Sequence, residues 1–276
     1  MNKTECGICH HHCNLSENQV GLCRARININ GKIAAANYGR ITAIALDSIE
    51  KKPLRHFYPG SKILSVGSFG CNLNCSFCQN NEISMADMND LNTQYVTPEK
   101  LVKLALDLKP EGNIGIAYTY NEPLIGYEFV MDCAKLTREN DLKNVVVTNG
   151  SFCKEPMEEL LPFIDALNID LKGFTNKFYE DIGGDLETVK NFIKLANSYS
   201  HIEITTLIIP EKNDSVKEIS ELSEFIASID KGIPLHISRF FPCYKMTDRE
   251  ATKVDTVYKL ADTARKQLNH VYEGNC

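Results

Sequence analysis

Hydrophobic positions after about residue 60 alternate between two periods. Between short apolar runs, side chains such as Leu101, Leu104, Ala105 and Leu108 recur at i, i+3, i+4 and i+7, which predicts amphipathic helices. The runs themselves are rich in β-branched residues and predict six buried strands: Lys62–Ser68, Asn113–Tyr118, Lys143–Thr148, Asp165–Leu171, His201–Ile209 and Ile233–Arg239. Strands that alternate with helices are typical of βα units around a parallel sheet.

The number of units predicts an α/β fold of the partial (β/α)6 barrel type, similar to a TIM barrel, since a complete eight-unit barrel needs roughly 250 residues on its own. Residues 1–60 precede the first unit and are rich in cysteine. We therefore expect a Cys-rich N-terminal extension over residues 1–60 and a barrel core over residues 61–276.

Charge and hydropathy exclude several classes of partner. Thirty Lys and Arg residues against 36 Asp and Glu residues give a net charge of −6, which argues against a nucleic acid or an anionic membrane as the main partner. The apolar runs fall far short of the roughly 18 residues that a membrane span needs. The N-terminal residues Met1–Cys6 contain no apolar core of a signal peptide. These features predict a cytoplasmic protein that binds neither nucleic acid nor membrane.

Cysteine is unusually frequent. Eleven cysteines without a secretory signal indicate metal binding or redox chemistry rather than disulfides. Cys71, Cys75 and Cys78 follow the first predicted strand, and in βα barrels the strand C-termini carry the chemistry. Three thiolates can hold a [4Fe-4S] cluster whose fourth iron stays open to a substrate. The alternative is a zinc ion that takes a distant fourth ligand.

The spacing Cys71-x3-Cys75-x2-Cys78, with Phe77 before the last cysteine, resembles the signature of the radical S-adenosylmethionine (radical SAM) superfamily. After the second strand, the segment 119–123 (Thr-Tyr-Asn-Glu-Pro) is similar to the superfamily's Gly-Gly-Glu-Pro segment, which receives the methionine amino group of the cofactor. Segments 148–150 and 170–172 resemble parts of the activating enzymes of the pyruvate formate-lyase type. Segments 6–23, 49–60, 70–80 and 236–242 together resemble the activase-like subgroup named AmmeMemoRadiSam.

The resemblance implies a [4Fe-4S] cluster, S-adenosyl-L-methionine (SAM) and a reductant such as flavodoxin or ferredoxin. It implies reductive cleavage of SAM to methionine and a 5′-deoxyadenosyl radical, which abstracts hydrogen from a substrate. That substrate is a glycyl residue of a partner enzyme, a small molecule or another associated protein. A non-catalytic iron–sulfur or zinc scaffold stays open, because Tyr120 and Asn121 replace the two glycines of the family segment.

The resemblance also implies residues that contact the cofactor. Glu122 would accept the methionine ammonium group, and Lys172 would bind the methionine carboxylate or the ribose region. Asp170 would accept from a hydroxyl or hold a cation, and His236 would contact the adenosine. The full set of expected cofactor-binding residues is Phe77, Asn121, Glu122, Thr148, Asp170, Lys172 and His236.

A second group of thiols, Cys6, Cys9, Cys13 and Cys23, lies in the N-terminal extension. Four ligands close a tetrahedral shell, so a structural zinc ion and a second [4Fe-4S] cluster both fit the pattern. The sequence leaves these two possibilities open, together with free or redox-active thiols.

Overall fold

The structure is a computed structural model that describes residues 3–276, so the first two residues of the predicted extension lie outside the described part. The strands are β1 (Thr4–Glu5), β2 (Asn14–Leu15), β3 (Arg26–Ile29), β4 (Lys32–Ala35), β5 (Arg40–Ile41), β6 (Ala43–Ser48), β7 (Lys62–Gly67), β8 (Gln94–Tyr95), β9 (Asn113–Tyr118), β10 (Lys143–Thr148), β11 (Ala166–Asp170), β12 (His201–Ile208), β13 (Leu235–Arg239) and β14 (Val271–Gly274). The helices are α1 (Asn81–Ser84), α2 (Pro98–Asp107), α3 (Tyr127–Glu139), α4 (Lys154–Leu160), α5 (Asn176–Asp181), α6 (Leu186–Asn197), α7 (Val216–Ile229) and α8 (Val254–Ala264). Short 3-10 segments lie at Ile49–Lys51, Lys109–Glu111, Pro123–Gly126 and Leu161–Phe163.

One eight-stranded sheet forms the barrel wall, in the order β14-β13-β12-β11-β10-β9-β7-β6. The predicted partial βα barrel is confirmed, and each of the six predicted strands is present. The sheet also contains two strands that the periodicity did not predict. At one edge β14 adds a seventh parallel strand, and at the other edge β6 pairs antiparallel with β7. Because β6 belongs to residues 1–60, part of the predicted extension completes the barrel sheet, and a domain boundary at residue 60 stays a prediction.

Helices cover the outer face of the sheet through their apolar stripes. In α2 the Thr97 side chain accepts a hydrogen bond from the backbone N–H of Lys100, and Pro98 occupies the first turn, as the sequence predicts. Leu101 and Ala105 of the same helix are fully buried. The parallel strands β7, β9, β10 and β11 are neighbours, so the loops that follow them meet at one end of the barrel. Within residues 3–276, no helix has the length and apolar character needed to cross a membrane.

A buried carboxylate ties the chain before β7 to the barrel interior. Glu203 of β12 is fully buried and accepts hydrogen bonds from the backbone N–H groups of Arg55 (3.0 Å) and His56 (2.7 Å). Nε2 of His236 lies 2.6 Å from Oε2 of Glu203, and Nε2 of His201 lies 3.0 Å from Oε1. Burial alone would raise the pKa of Glu203, but the hydrogen bonds from His201, His236 and the two amides lower it to about 2.

The depressed pKa of Glu203 predicts a loss of stability in acid. A carboxylate whose folded pKa lies below its unfolded pKa stabilises the protein above the unfolded value, and this contribution is lost as the pH falls toward the folded value. Urea unfolding between about pH 5 and pH 3 should show a steeper fall in the free energy of unfolding for the wild type than for Glu203→Gln. Glu139→Gln, an exposed substitution, is the control and should follow the wild type. Parallel curves for Glu203→Gln and the wild type would contradict the assignment.

Candidate active site

A cavity of about 290 Å³ opens at the C-terminal ends of the parallel strands. Six of the seven predicted cofactor-binding residues line it, together with all three cysteines of the loop after β7. These residues are Cys71, Cys75, Phe77, Cys78, Asn121, Glu122, Thr148, Asp170 and Lys172. They come from four different strand ends, which is the arrangement expected of a barrel active site.

The cysteine loop is held closely against the N-terminal segment. The backbone N–H of Cys71 donates to the carbonyl of Cys23 at 3.1 Å, and that of Gly70 donates to Ile83 at 2.9 Å. Gly70 has φ of +85°, and a Cβ atom on it would lie 2.5 Å from the Cys23 carbonyl oxygen. Both the backbone conformation and the close approach therefore require glycine at this position.

We expect Gly70→Ala to lower the free energy of unfolding by more than the strain of an alanine with positive φ alone. Gly60→Ala is a matched control, since Gly60 has φ of +81° but nothing within 4 Å of a Cβ atom. Alanine in the left-handed region costs about 1 kcal/mol at either site, whereas the contact with the carbonyl must displace backbone at residue 70 only. Thermal unfolding and iron content after anaerobic reconstitution should both be lower for Gly70→Ala than for Gly60→Ala. Equal values for the two variants would contradict this view of the loop.

Of the loop cysteines, Cys75 is buried, Cys71 and Cys78 are partly buried, and Cys71 lies near polar donors. Burial, with the charge of Glu122 nearby, raises the pKa of Cys71, and burial raises the pKa of Cys75 to about 11. Cys71 Sγ accepts from the backbone N–H of Leu73 at 3.4 Å and from the Asn149 side-chain amide at 3.7 Å. In the absence of metal the Cys71 and Cys75 thiols stay protonated, and a metal that displaces the proton of Cys71 would gain N–H···S bonds already in place.

Glu122 is the buried carboxylate of the cavity. Its oxygens accept from the Thr148 hydroxyl (2.8 Å), the backbone N–H of Asn149 (2.7 Å) and the backbone N–H of Leu124 (3.1 Å). Burial raises the pKa of Glu122 to about 7 although these hydrogen bonds oppose the shift. Thr148 therefore lines the cavity and also orients Glu122.

Asn121 is predicted to bind the cofactor, and its side chain also forms hydrogen bonds with the backbone that leads into the cysteine loop. Its Oδ1 accepts from the backbone N–H of Ser68 (2.9 Å), and its Nδ2 donates to the carbonyls of Phe69 and Gly70, each at 3.1 Å. The amide is thus engaged with the backbone that leads into Cys71. Tyr120 before it has φ of +74°, at a position where the family segment has glycine.

Asp170 and Lys172 form an ion pair at the end of β11. Lys172 Nζ lies 2.7 Å from Asp170 Oδ2. Burial alone would lower the pKa of Lys172, but the Asp170 carboxylate raises it, so the ammonium group stays charged. Phe77 is buried beside Phe178, with ring centroids 6.2 Å apart, and forms an apolar part of the wall.

His236 is not among the residues that line the cavity, and its contact with the adenosine stays a prediction. It is the second residue of β13, two residues before Ser238, which does line the cavity. The side chain points to Glu203 instead, as described above.

Two asparagines of the site were not among the predicted residues. Asn149 Nδ2 donates to Asn72 Oδ1 at 2.8 Å, and Asn72 Nδ2 donates to the carbonyl of Ser151 at 2.9 Å. This chain of hydrogen bonds joins the cysteine loop to the end of β10. The signal for both lay in the sequence, because Asn72 follows Cys71 and Asn149 follows Thr148.

Comparison with known proteins identifies the family. The model of the radical SAM superfamily matches residues 65–225, which include the cysteine loop and Glu122. The chain is a member of the radical SAM superfamily. This radical SAM chain is 39% identical over 277 residues to the uncharacterised protein MJ0808 of Methanocaldococcus jannaschii, with 99% of this chain and 82% of the relative covered. It is 27% identical over 199 residues to the pyruvate formate-lyase-activating enzyme of Clostridium pasteurianum, with 70% of this chain and 80% of that enzyme covered.

The fold is also shared with solved radical SAM structures. Streptococcus suis SuiB bound to S-adenosylmethionine superposes with a TM-score of 0.57 at 16% identity. The match covers 78% of this chain and 49% of SuiB.

Radical SAM proteins bind a [4Fe-4S] cluster and SAM, and the residues of this cavity fit both groups. Three thiols on one loop, with N–H donors beside Cys71, suit a cluster that keeps one iron free of protein ligands. Glu122 and Lys172 supply one acceptor and one cation for the amino acid part of SAM. Within residues 3–276, no group of three or more His, Cys, Asp or Glu side chains has an arrangement that would hold a single metal ion.

Proposed function

We propose that this chain is an enzyme that cleaves SAM reductively and uses the resulting radical to abstract hydrogen from a glycyl residue of a partner protein. Cys71, Cys75 and Cys78 would hold the [4Fe-4S] cluster. When bound, the reduced cluster supplies the electron that breaks the S–C5′ bond, giving methionine and a 5′-deoxyadenosyl radical.

The observation that carries this proposal is that three thiols and the buried carboxylate of Glu122 line one cavity. Glu122 would accept the methionine ammonium group, and the cation would hold the carboxyl ionised although burial raises its pKa to about 7. Thr148 and the amide of Asn149 keep the carboxylate oriented for that contact. Two of the three existing hydrogen bonds go to Oε1 and one goes to Oε2, so Oε2 of Glu122 keeps a lone pair for the ligand.

Lys172, just after β11, would bind the methionine carboxylate or the ribose region. Its pair with Asp170 holds the ammonium group at 2.7 Å and fixes it before the cofactor arrives. Asp170 would in turn accept from a ribose hydroxyl. Phe77, Leu73 and Leu207 give the cavity apolar surface, which helps to exclude water from a reactive radical.

The glycyl residue as target is supported by the relative from Clostridium pasteurianum, which is named as an activating enzyme of pyruvate formate-lyase. Another relative of this chain is the activating enzyme of (2S)-3-sulfopropanediol dehydratase from Klebsiella oxytoca. A protein substrate would have to present its target carbon within van der Waals reach of C5′. A one-electron donor such as flavodoxin or ferredoxin would reduce the cluster.

The test is anaerobic reconstitution with iron and sulfide, followed by SAM and dithionite. We expect 5′-deoxyadenosine and methionine in equal amounts. Addition of a candidate glycyl-radical enzyme should then give a stable protein radical in electron paramagnetic resonance. Absence of 5′-deoxyadenosine despite a full cluster would favour a non-catalytic scaffold, and cleavage with no radical on the partner would reject the glycyl target.

A further inference from the structure

Short backbone contacts join the segments that carry the four N-terminal cysteines. The hairpin of β1 and β2 aligns Cys6 with Cys13, whose carbonyl accepts from the Cys6 N–H at 2.9 Å. Cys9 lies in the loop of this hairpin. Cys23 lies in a turn that is closed by the Arg24 N–H, which donates to the carbonyl of Gly21 at 2.9 Å. This turn lies beside the hairpin, since a Cβ atom at Gly21 would be 3.7 Å from Cys13 Sγ.

Three of these thiols are almost inaccessible to solvent. Cys6, Cys9 and Cys23 are 4%, 7% and 5% exposed. No disulfide joins them. Four such thiols could be buried without loss of polar contacts if a metal centre took them as ligands.

A buried arginine beside the thiols has one N–H group without an acceptor. Arg26 is 4% exposed, and its Nη1 lies 2.6 Å from the Glu128 carboxylate. Its Nε has no hydrogen-bond partner among the described residues, and the Cys6 thiol is adjacent to the guanidinium group. A buried N–H donor without an acceptor is costly, and a negatively charged thiolate at Cys6 would satisfy it.

We propose that Cys6, Cys9, Cys13 and Cys23 hold a second [4Fe-4S] cluster, with Arg26 donating an N–H···S hydrogen bond to it. The spacing favours iron and sulfide over zinc, since three closely spaced cysteines with a remote fourth resemble cluster-binding runs. Structural zinc sites more often use two separated pairs. A shell of four thiolates is complete, so this second cluster has no open iron and does not bind SAM.

The second cluster lies directly against the loop of the first. Cys23 and Cys71 are ligand residues of different centres, and the backbone hydrogen bond between them is 3.1 Å long. His11 Nε2 also lies 2.7 Å from the carbonyl of Asn72 in the same loop. Two reduced clusters at this separation should interact magnetically.

The decisive variant is the triple substitution Cys71→Ala, Cys75→Ala and Cys78→Ala in the full chain. It leaves the N-terminal thiols intact and cannot cleave SAM, so its metal content tests this inference separately from the proposed function. After anaerobic reconstitution we expect about four iron and four sulfide per triple variant, against about eight of each in the wild type. The reduced triple variant should give a resonance signal that SAM does not change.

The exposed Cys276 provides a matched control, and Cys276→Ala should keep the wild-type iron content. The reduced wild type should show a broadened signal from two interacting clusters, whereas the triple variant should show a single uncoupled one. One zinc ion and no iron in the triple variant would overturn the inference, as would a triple variant that binds no metal while its circular dichroism matches that of the wild type.

Discussion

Cys75→Ala is expected to abolish the formation of 5′-deoxyadenosine and to remove about four iron atoms per chain. Cys75 is the middle cysteine of the loop, it is 6% exposed, and it lines the cavity with Glu122 and Lys172. A cluster with two protein ligands is held too weakly to survive purification, and without a reduced cluster no electron reaches the sulfonium of SAM. Product formation by chromatography and iron content by chemical assay measure the two effects.

Two controls separate ligation from a general effect of losing a thiol. Cys276→Ala removes an exposed cysteine and should keep both iron content and activity. Cys133→Ala removes a fully buried cysteine of α3, far along the chain from the loop, and should keep the iron content even if it lowers stability. Wild-type rates of 5′-deoxyadenosine formation in Cys75→Ala would contradict the assignment of the loop.

Glu122→Gln should weaken SAM binding by about 10- to 100-fold while leaving the iron content unchanged, since a hydrogen bond to a charged group contributes about 1.5–3 kcal/mol. The substitution keeps the size of the side chain but removes the negative charge that would face the methionine ammonium group. It also places an amide N–H₂ group against the Thr148 hydroxyl or the Asn149 N–H, which in the wild type donate to Glu122. Equilibrium dialysis with labelled SAM measures the effect.

The pH dependence of SAM binding shows whether the negative charge of Glu122, rather than the shape of its side chain, is needed for binding. The pKa of Glu122 is raised to about 7 in the free protein, so the carboxyl is protonated below that pH and must lose its proton to bind a cation. Wild-type affinity should rise as the pH increases through about 7, and Glu122→Gln should lose this rise. The exposed substitution Glu139→Gln is the control and should behave as the wild type. A Glu122→Gln variant that binds SAM as tightly as the wild type would contradict the proposed role.

The cysteine spacing and the strand ends were sufficient to predict most of the cavity. Glu122, Thr148 and Lys172 each lie at or just beyond the end of a predicted strand, and parallel strands bring such ends together whatever their distance in sequence. The sequence was therefore sufficient to identify cavity residues whose position follows from the order of the parallel strands.

Features that depend on side-chain direction were not predictable in this way. His236 belongs to the same strand as Ser238, but its position near the start of β13 directs it to Glu203. Asn121 follows a residue with positive φ, and this turn directs its amide to the backbone of the cysteine loop. The edge strand β6 has no buried residue and β14 has four residues with only one buried, so their patterns did not separate them from loops.

The central claim is that SAM binds the open iron of a cluster held by Cys71, Cys75 and Cys78. Cys243 is the residue to exclude as a fourth ligand, because its thiol lies beside Cys78 and donates to the carbonyl of Phe77 at 3.2 Å. The most direct measurement is electron–nuclear double resonance of the reduced protein with SAM that carries ¹⁵N in its amino group, in the wild type and in Cys243→Ala. The account predicts the same ¹⁵N coupling to the cluster in both proteins. No coupling in the wild type, or coupling only after Cys243 is replaced, would contradict it.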